Sequence, residues 1–288
     1  MYSANVDYYR AASVAEAVRL LGEHDGAKLL AGGQSLIPLM KLRLAEPAVL
    51  IDIGGIADLK GVEASNGTLR IGALTLHAEI ASSQAVRDAC PLLSEAASFI
   101  ADPAVRNRAT VGGNVAHADP ASDLPTVLTA LGATFSVTGP GGERKIDASD
   151  FFQGMMTTAV GEDDVLTSVE VPAAQDGQGM AYRKFFHPAS RFAVLGAAVV
   201  VTVEGGACSA ARVAVGGLLP RPARATSVES ALVGQSLDGA AIGEAAGAVE
   251  SDLGDDVIGD IYASAEYRRA MASVYVGRAI SAASERAG

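Results

Sequence analysis

Two pairs of adjacent glycines constrain the fold of this chain more than any other feature of its sequence. They lie in Ala31-Gly32-Gly33-Gln34-Ser35 and in Thr110-Val111-Gly112-Gly113-Asn114, each between an apolar run and a hydroxyl or amide side chain. Glycine lacks a Cβ and tolerates positive φ, so backbone N–H groups there can converge on an anion. A helix beginning at Ser35 would add its positive dipole end. Two such segments could hold the two phosphates of a dinucleotide, and each is also compatible with a capped tight turn.

Hydrophobic periodicity predicts that helices and strands alternate along most of the chain, before a polar segment at 172–179 that is the best linker candidate. Helices are predicted at about 13–21, 35–44, 75–80, 91–100 and 123–131, and strands at 28–31, 48–53, 59–64, 68–73, 133–138 and 165–171. Gly112-Gly113 is interpreted as a second glycine turn. Beyond the linker, apolar strands at 192–203 and 207–215 and an Ala-rich helical remainder predict a separate α+β domain.

Length and charge exclude several classes of protein. At 288 residues the chain is long for one core, so two domains are expected. Its net charge of −11 argues against binding nucleic acid or acidic membrane surfaces. The longest apolar stretch, 193–203, is about half of what crosses a bilayer. Because residues 1–10 lack the apolar region of a signal peptide, we expect a cytoplasmic protein with no membrane span.

Familiar catalytic and metal-binding motifs are absent from the sequence, which contains no GxGxxG, GxxxxGK(S/T), HExxH or GxSxG. Four histidines lack metal-ligand spacing and are each interpreted as surface or core residues: His24, His77, His117 and His187. Cys90 and Cys208 form neither a CxxC motif nor a cluster, so both are expected to be buried. The sequence therefore predicts no metal site, and the chain cannot hold an iron–sulfur cluster by itself.

Two long stretches closely resemble the flavin-binding stretches of the medium subunit of the molybdenum hydroxylase family: AGGQSLIPLMKLRLAEP at 31–47 and DPAVRNRATVGGNVAHADPASDLPTVL at 102–128. The resemblance covers nearly the whole chain, including VLTSVEVP at 165–172 and YRKFFHPASRFAVLGAAV at 182–199. The family includes the CO dehydrogenases, aerobic heterocycle and nicotine hydroxylases, and the flavin domain of xanthine dehydrogenase. Two long motifs in the right order and at the right separation are far more specific than either alone.

The resemblance implies an α+β protein in two domains. A vanillyl-alcohol-oxidase-type (PCMH-type) FAD-binding domain would span residues 1–175, with subdomains at about 1–55 and 56–175. A CO dehydrogenase flavoprotein C-terminal α+β domain would follow at 176–288. This division agrees with the linker candidate found from composition.

The resemblance also implies that the two glycine segments wrap the FAD pyrophosphate. Ser35, Thr110 and Asn114 would supply side-chain hydrogen bonds. We expect a side chain at Gly33 or Gly112 to occupy space that the phosphates need. The cofactor-binding residues implied here are Ala31, Gly32, Gly33, Gln34, Ser35, Leu36, Thr110, Val111, Gly112, Gly113 and Asn114.

Four further residues match family positions near the flavin: Asp123, Leu166, Lys184 and Phe192. Asp123 would accept hydrogen bonds from ribose or ribityl hydroxyls, or else cap the helix that follows it. Lys184 would offset negative charge on a reduced flavin, or else be a solvated lysine. Phe192 would cover the isoalloxazine, or else be a strand residue in the core.

The resemblance implies a division of labour between subunits. A large partner subunit would carry molybdopterin and hydroxylate the substrate, a small partner would carry [2Fe-2S] clusters, and this chain would carry FAD in a dimer of heterotrimers. No histidine matches a site of covalent flavin attachment, so non-covalent FAD is expected. Gln34 and Phe192 stand where His and Tyr are expected in CO-oxidising members.

Two other functions stay open at the level of sequence. One is a self-sufficient FAD-dependent oxidoreductase of the same superfamily, which would need its own acids or bases for a substrate. The other is a non-catalytic nucleotide-binding or assembly protein with a similar sequence. Bound FAD and co-purifying partner chains would discriminate between them.

Overall fold

The N-terminal part of the chain forms a small parallel sheet. The computed structural model describes residues 2–287. Its first elements are β1 (Asp7–Arg10), α1 (Val14–Glu23), β2 (Lys28–Leu30), α2 (Leu36–Lys41) and β3 (Val49–Asp52). β3 lies between β1 and β2 and pairs with both in parallel, with α1 and α2 in the connections. The Ser13 hydroxyl caps α1 by accepting the N–H of Glu16 at 3.1 Å.

The middle part is a five-stranded antiparallel sheet with a helical insertion. Its elements are a 3-10 turn (Ala57–Leu59), β4 (Val62–Ser65), β5 (Thr68–Gly72), α3 (His77–Ser82), α4 (Gln84–Ala89), α5 (Pro91–Phe99), α6 (Pro103–Arg106), α7 (Val111–His117), α8 (Asp123–Leu131), β6 (Thr134–Gly139), β7 (Gly142–Asp147), α9 (Ala148–Phe151), β8 (Phe152–Gly154), β9 (Thr157–Thr158) and β10 (Val165–Pro172). The strand order is β4-β5-β10-β6-β7. The predicted hairpin between β4 and β5 is confirmed, and its turn residues Asn66 and Gly67 both have positive φ.

The C-terminal part is a four-stranded antiparallel sheet covered by helices. Its elements are β11 (Gln178–Phe186), β12 (Ala193–Glu204), β13 (Ala207–Gly216), β14 (Ala223–Arg224), α10 (Thr226–Leu232), α11 (Gly239–Gly247), α12 (Glu250–Leu253) and α13 (Ala265–Ser284). The strands follow chain order across the sheet. The two apolar strands predicted here are confirmed as β12 and β13, but β11 and β14 also belong to the sheet. Residues 173–177, between β10 and β11, have no regular structure.

Helix α8 connects the middle and C-terminal parts, because it is buried along its whole length, from Asp123 to Leu131. Its apolar residues share one core with β5, β6 and β10 and with residues of the C-terminal sheet such as Tyr182 and Ala198. This packing fixes the N-terminal end of α8, and therefore Asp123, relative to both sheets. A second core lies between the C-terminal sheet and its helices, and a third lies under the parallel sheet.

Three sequence predictions about local structure need correction. Gly112 and Gly113 do not form a turn, because they lie in the first turn of α7. The helix predicted from 75 begins at His77, and the helix predicted through 44 ends at Lys41. Within residues 2–287, no helix is long and apolar enough to cross a membrane.

Candidate cofactor site

One cavity of about 710 Å³ gathers most of the residues predicted to bind the cofactor. Its wall is built from β2 and the loop into α2, the ends of β5 and β10, helices α3 and α7, and the loop before β12. A ligand in it would contact all three parts of the fold. The predicted residues that line it are Ala31, Gly32, Gly33, Gln34, Ser35, Leu36, Thr110, Gly112, Gly113, Asn114, Asp123, Leu166 and Phe192. Val111 and Lys184 do not line it.

The first glycine segment presents free backbone amides to this cavity. Gly33 has a φ of +72°, a left-handed conformation that suits glycine. Within the described residues, the amides of 32–36 donate no hydrogen bond. The Ser35 hydroxyl likewise makes no capping bond to α2. Because all of these donors border the cavity, residues 32–36 suit an anionic group such as a pyrophosphate.

The second glycine segment has a different role. The backbone amides of 111–114 all donate inside the protein, in chain order to Thr75 O, Ala73 O, Thr110 Oγ1 and Thr110 O. A Cβ on Gly112 would lie 2.5 Å from the Cβ of Ala73. This glycine therefore allows α7 to pack against the end of β5, and a side chain there would strike the protein before any phosphate. The expectation that both glycine pairs offer convergent amides is wrong for the second pair, and Val111 is fully buried.

Asn114 and His77 bring unpartnered polar atoms to the cavity wall. The Asn114 amide Nδ2 donates to Ser122 Oγ at 3.2 Å, while its Oδ1 is buried without a partner among the described residues. Both ring nitrogens of His77 are also buried and unpartnered there. Leaving such a group unsatisfied costs about 1–3 kcal/mol. A polar ligand in the cavity is the simplest compensation, although no motif in the sequence indicates that His77 binds a ligand.

Asp123 lines the cavity and is held by two side chains of β11. Tyr182 OH donates to Asp123 Oδ1 at 2.7 Å, and Lys184 Nζ donates to Oδ2 at 2.8 Å. Tyr182 and Lys184 are two residues apart on one strand and so point to the same face. Asp123 is therefore not a helix cap, and it is the residue before it, Ser122, that occupies the cap position.

Burial dominates the electrostatics of this group. It raises the pKa of Asp123 and lowers the pKa of Lys184, while their mutual attraction opposes both shifts. Burial also raises the pKa of Tyr182, so the phenol stays protonated and remains a donor. The alternative that Lys184 is a solvated lysine is wrong, since it is only 6% exposed. Lys184 contacts Asp123 instead of the cavity, and its positive charge neutralises the carboxylate.

Leu166 and Phe192 border the cavity as apolar surfaces. Leu166 is buried in β10, whereas Phe192 is 45% exposed in the loop that precedes β12. The alternative that Phe192 is a core strand residue is therefore wrong. Its neighbour Arg191 also lines the cavity, has a φ of +60°, and places its guanidinium 5.0 Å from the Phe186 ring centre.

The polar and apolar groups that line the cavity show whether a dinucleotide cofactor fits it. Free amides beside a left-handed glycine suit phosphates, Asp123 and Asn114 offer acceptors to hydroxyls, and Leu166 with Phe192 can contact a flat ring. Within residues 2–287, no three His, Cys, Asp or Glu side chains are placed to hold a metal ion. The residues present therefore fit a nucleotide cofactor that carries a flat ring, and the fold with this site defines a nucleotide-binding protein.

Comparison with known proteins identifies the family. The family described as FAD binding domain in molybdopterin dehydrogenase matches residues 4–174, and the CO dehydrogenase flavoprotein C-terminal domain matches residues 180–283. The chain belongs to this family of FAD-binding molybdopterin dehydrogenase flavoproteins, which confirms the resemblance, the fold class and FAD as the cofactor. It is accordingly a flavoprotein component of an oxidoreductase.

Curated relatives match over the full length of the chain. The carbon monoxide dehydrogenase medium chain of Hydrogenophaga pseudoflava is 41% identical over 98% of both chains. The 6-hydroxypseudooxynicotine dehydrogenase complex subunit alpha of Paenarthrobacter nicotinovorans is 38% identical, with 100% of this chain and 97% of that one covered. A solved structure of carbon monoxide dehydrogenase from Hydrogenophaga pseudoflava superposes with a TM-score of 0.96 at 41% identity, covering 99% of both chains.

Proposed function

We propose that this chain is the FAD-binding subunit of a heterotrimeric molybdenum hydroxylase. It would accept electrons from a [2Fe-2S] subunit and pass them to an external acceptor, while a large molybdopterin subunit hydroxylates the substrate. The observation that carries the proposal is the single cavity in which the free amides of 32–36, Asp123 and Phe192 meet. A dimer of such heterotrimers in the cytoplasm completes the proposal.

The residues of the cavity would hold FAD without a covalent bond. The amides of 32–36 and the Ser35 hydroxyl would bind the pyrophosphate, and Asn114 Oδ1 and Asp123 would accept from sugar or ribityl hydroxyls. Phe192 would cover the flavin ring, and Leu166 would pack near it. Bound FAD supplies the reversible redox chemistry, for which the protein provides orientation and electrostatics. Lys184 and Tyr182 would keep Asp123 oriented as an acceptor.

The domain division also enters as a proposal. An FAD-binding domain at 1–175, divided near residue 55, and a C-terminal domain at 176–288 would agree with the grouping of strands into separate sheets. The cavity lies mostly within the first domain, and the loop before β12 brings Arg191 and Phe192 to it from the second. The C-terminal domain would therefore cover part of the cofactor.

The organic substrate would be chosen by another subunit. Relatives of 41% and 38% identity are named for carbon monoxide and for 6-hydroxypseudooxynicotine, although both match this chain over nearly its full length. Such different substrates among the relatives are what we expect if the flavin subunit does not contact the substrate. A self-sufficient flavoenzyme would contact its own substrate, so the different substrates of these relatives disfavour that alternative.

We expect the isolated chain, loaded with FAD, to be reduced by an artificial donor such as dithionite but not by heterocycles, aldehydes or CO. Hydroxylating such carbons requires a metal–oxo centre, for which the described residues offer no ligand set. The measurement is visible absorbance of the bound flavin under anaerobic conditions, first with the lone chain and then with the partner chains added. Bleaching by substrate in the lone chain would establish the self-sufficient flavoenzyme instead.

A further inference from the structure

His77 is a buried histidine that the fold leaves without hydrogen-bond partners. It opens α3, and only 1% of its surface is exposed. Its backbone N–H donates to Ala109 O at 3.1 Å, which fixes the start of α3 against the segment leading to Thr110. Neither Nδ1 nor Nε2 has a partner within residues 2–287. Buried imidazoles almost always pair at least one nitrogen, so this position requires an explanation.

The electrostatic setting of His77 keeps the ring neutral. Burial lowers its pKa to about 4, and the nearby Arg106 cation acts in the same direction. A neutral imidazole carries one donor and one acceptor nitrogen. It can therefore pair with a phosphate oxygen or hydroxyl on one side and with a hydroxyl or N–H group on the other. A charged histidine would have only donors.

The place of His77 in the fold indicates where its partner is. His77 is one of the residues that line the 710 Å³ cavity, together with Leu74, Thr110 and Gly112. The same wall includes Asn114, whose Oδ1 is likewise a buried side-chain atom without a partner among the described residues. By contrast, Ser168 Oγ, the remaining buried side-chain atom without a partner in residues 2–287, belongs to β10, and Ser168 is not part of that wall.

We propose that His77 is a cofactor-binding residue, a neutral imidazole that hydrogen-bonds a polar group of the flavin nucleotide. The inference rests on the proposed function, since it needs FAD in this cavity. In the absence of the nucleotide, His77 is an unsatisfied polar group that weakens the fold. In its presence, the same group contributes to affinity. The unpartnered histidine therefore lowers the stability of the apo form and raises the affinity for FAD. A purely structural histidine would affect stability but not affinity.

The test is His77→Leu in the full-length chain, with Ser168→Ala as the matched control. Both replacements remove an unpartnered buried polar atom, so neither should lower the melting temperature of the apo protein. FAD affinity, followed by quenching of flavin fluorescence on titration, should fall at least tenfold in His77→Leu and stay unchanged in Ser168→Ala. His77→Asn, which keeps a donor and an acceptor, should recover part of the affinity.

A second measurement reports on the histidine directly. With ¹⁵N-labelled histidine there are only four side chains to resolve, and the His77 signals are those missing from His77→Leu. FAD should shift its ring-nitrogen resonances. Unchanged affinity in His77→Leu, or loss of apo stability in that variant, would overturn the proposal. Failure of the wild-type chain to bind FAD would instead overturn the proposed function, so the two failures are distinguishable.

Discussion

Replacing Lys184 with Met should lower the free energy of unfolding by about 3–5 kcal/mol, because it leaves the buried carboxylate of Asp123 without its cation. The Lys184 side chain has no exposed surface and the Asp123 side chain is 4% exposed. Both side chains are therefore shielded from bulk water. Methionine keeps the length and most of the volume of the lysine stem, so the effect comes from the charge rather than from a cavity.

Chemical denaturation of the full-length apo protein measures this effect, with Lys145→Met as the control. Lys145 pairs with Glu170 at the same 2.8 Å separation, but its side chain is 55% exposed. Breaking that solvated pair should cost only about 0–1 kcal/mol. The double variant Asp123→Asn/Lys184→Met should be more stable than Lys184→Met alone, since no buried charge remains. Equal losses in Lys184→Met and Lys145→Met would show that the buried pair is not a structural element.

The loss in Lys184→Met should also depend on pH. Burial already raises the pKa of Asp123 in the wild-type protein, and removing the cation raises it further. A carboxyl whose pKa is raised on folding favours the folded state at low pH and loses that contribution as the pH increases through its folded pKa. The difference between wild type and Lys184→Met should therefore be largest near neutral pH and shrink as the carboxyl becomes protonated.

The two glycine segments show what local sequence can and cannot predict. Residues of both segments line one cavity, and Gly33 has the positive φ that a glycine pattern suggests. Their roles differ because Gly112 is packed against Ala73, a residue far away along the chain. Glycine permits a turn, a close approach or a helix, so its neighbours in space decide among them. No pattern within the segment itself contains that information.

The group around Asp123 shows a second limit. The family resemblance indicates Asp123 and Lys184 but not Tyr182, and the sequence pattern does not predict β11 as a strand. Its residues alternate less regularly between buried and partly exposed positions than those of a half-exposed strand do. Without the strand, the common face of Tyr182 and Lys184 was invisible. The edge strand β7 was missed for a similar reason, since its GERKID sequence is almost entirely exposed.

Replacing Gly32 with Ala should disrupt the cavity where the first glycine segment packs against the backbone of Arg108 and Ala109, just before the second segment. A Cβ on Gly32 would overlap the carbonyl oxygen of Arg108 and lie 2.9 Å from the Cα of Ala109. Both obstacles are backbone atoms, so one segment must move as a unit instead of a side chain turning aside. The move would displace the free amides of 32–36 from each other and from Asn114. FAD affinity should fall at least tenfold, which corresponds to about 1.4 kcal/mol.

Gly22→Ala is the matched control, because a Cβ there would meet nothing within 4 Å and Gly22 lies inside helix α1. Alanine in a helix interior should stabilise the protein by about 0.5–1 kcal/mol and leave FAD affinity unchanged. Flavin fluorescence titration and thermal unfolding of both variants give the comparison. Wild-type affinity and stability in Gly32→Ala would show that the two segments can separate freely. The cofactor would then be bound by mobile loops instead of by a cradle fixed through backbone contact.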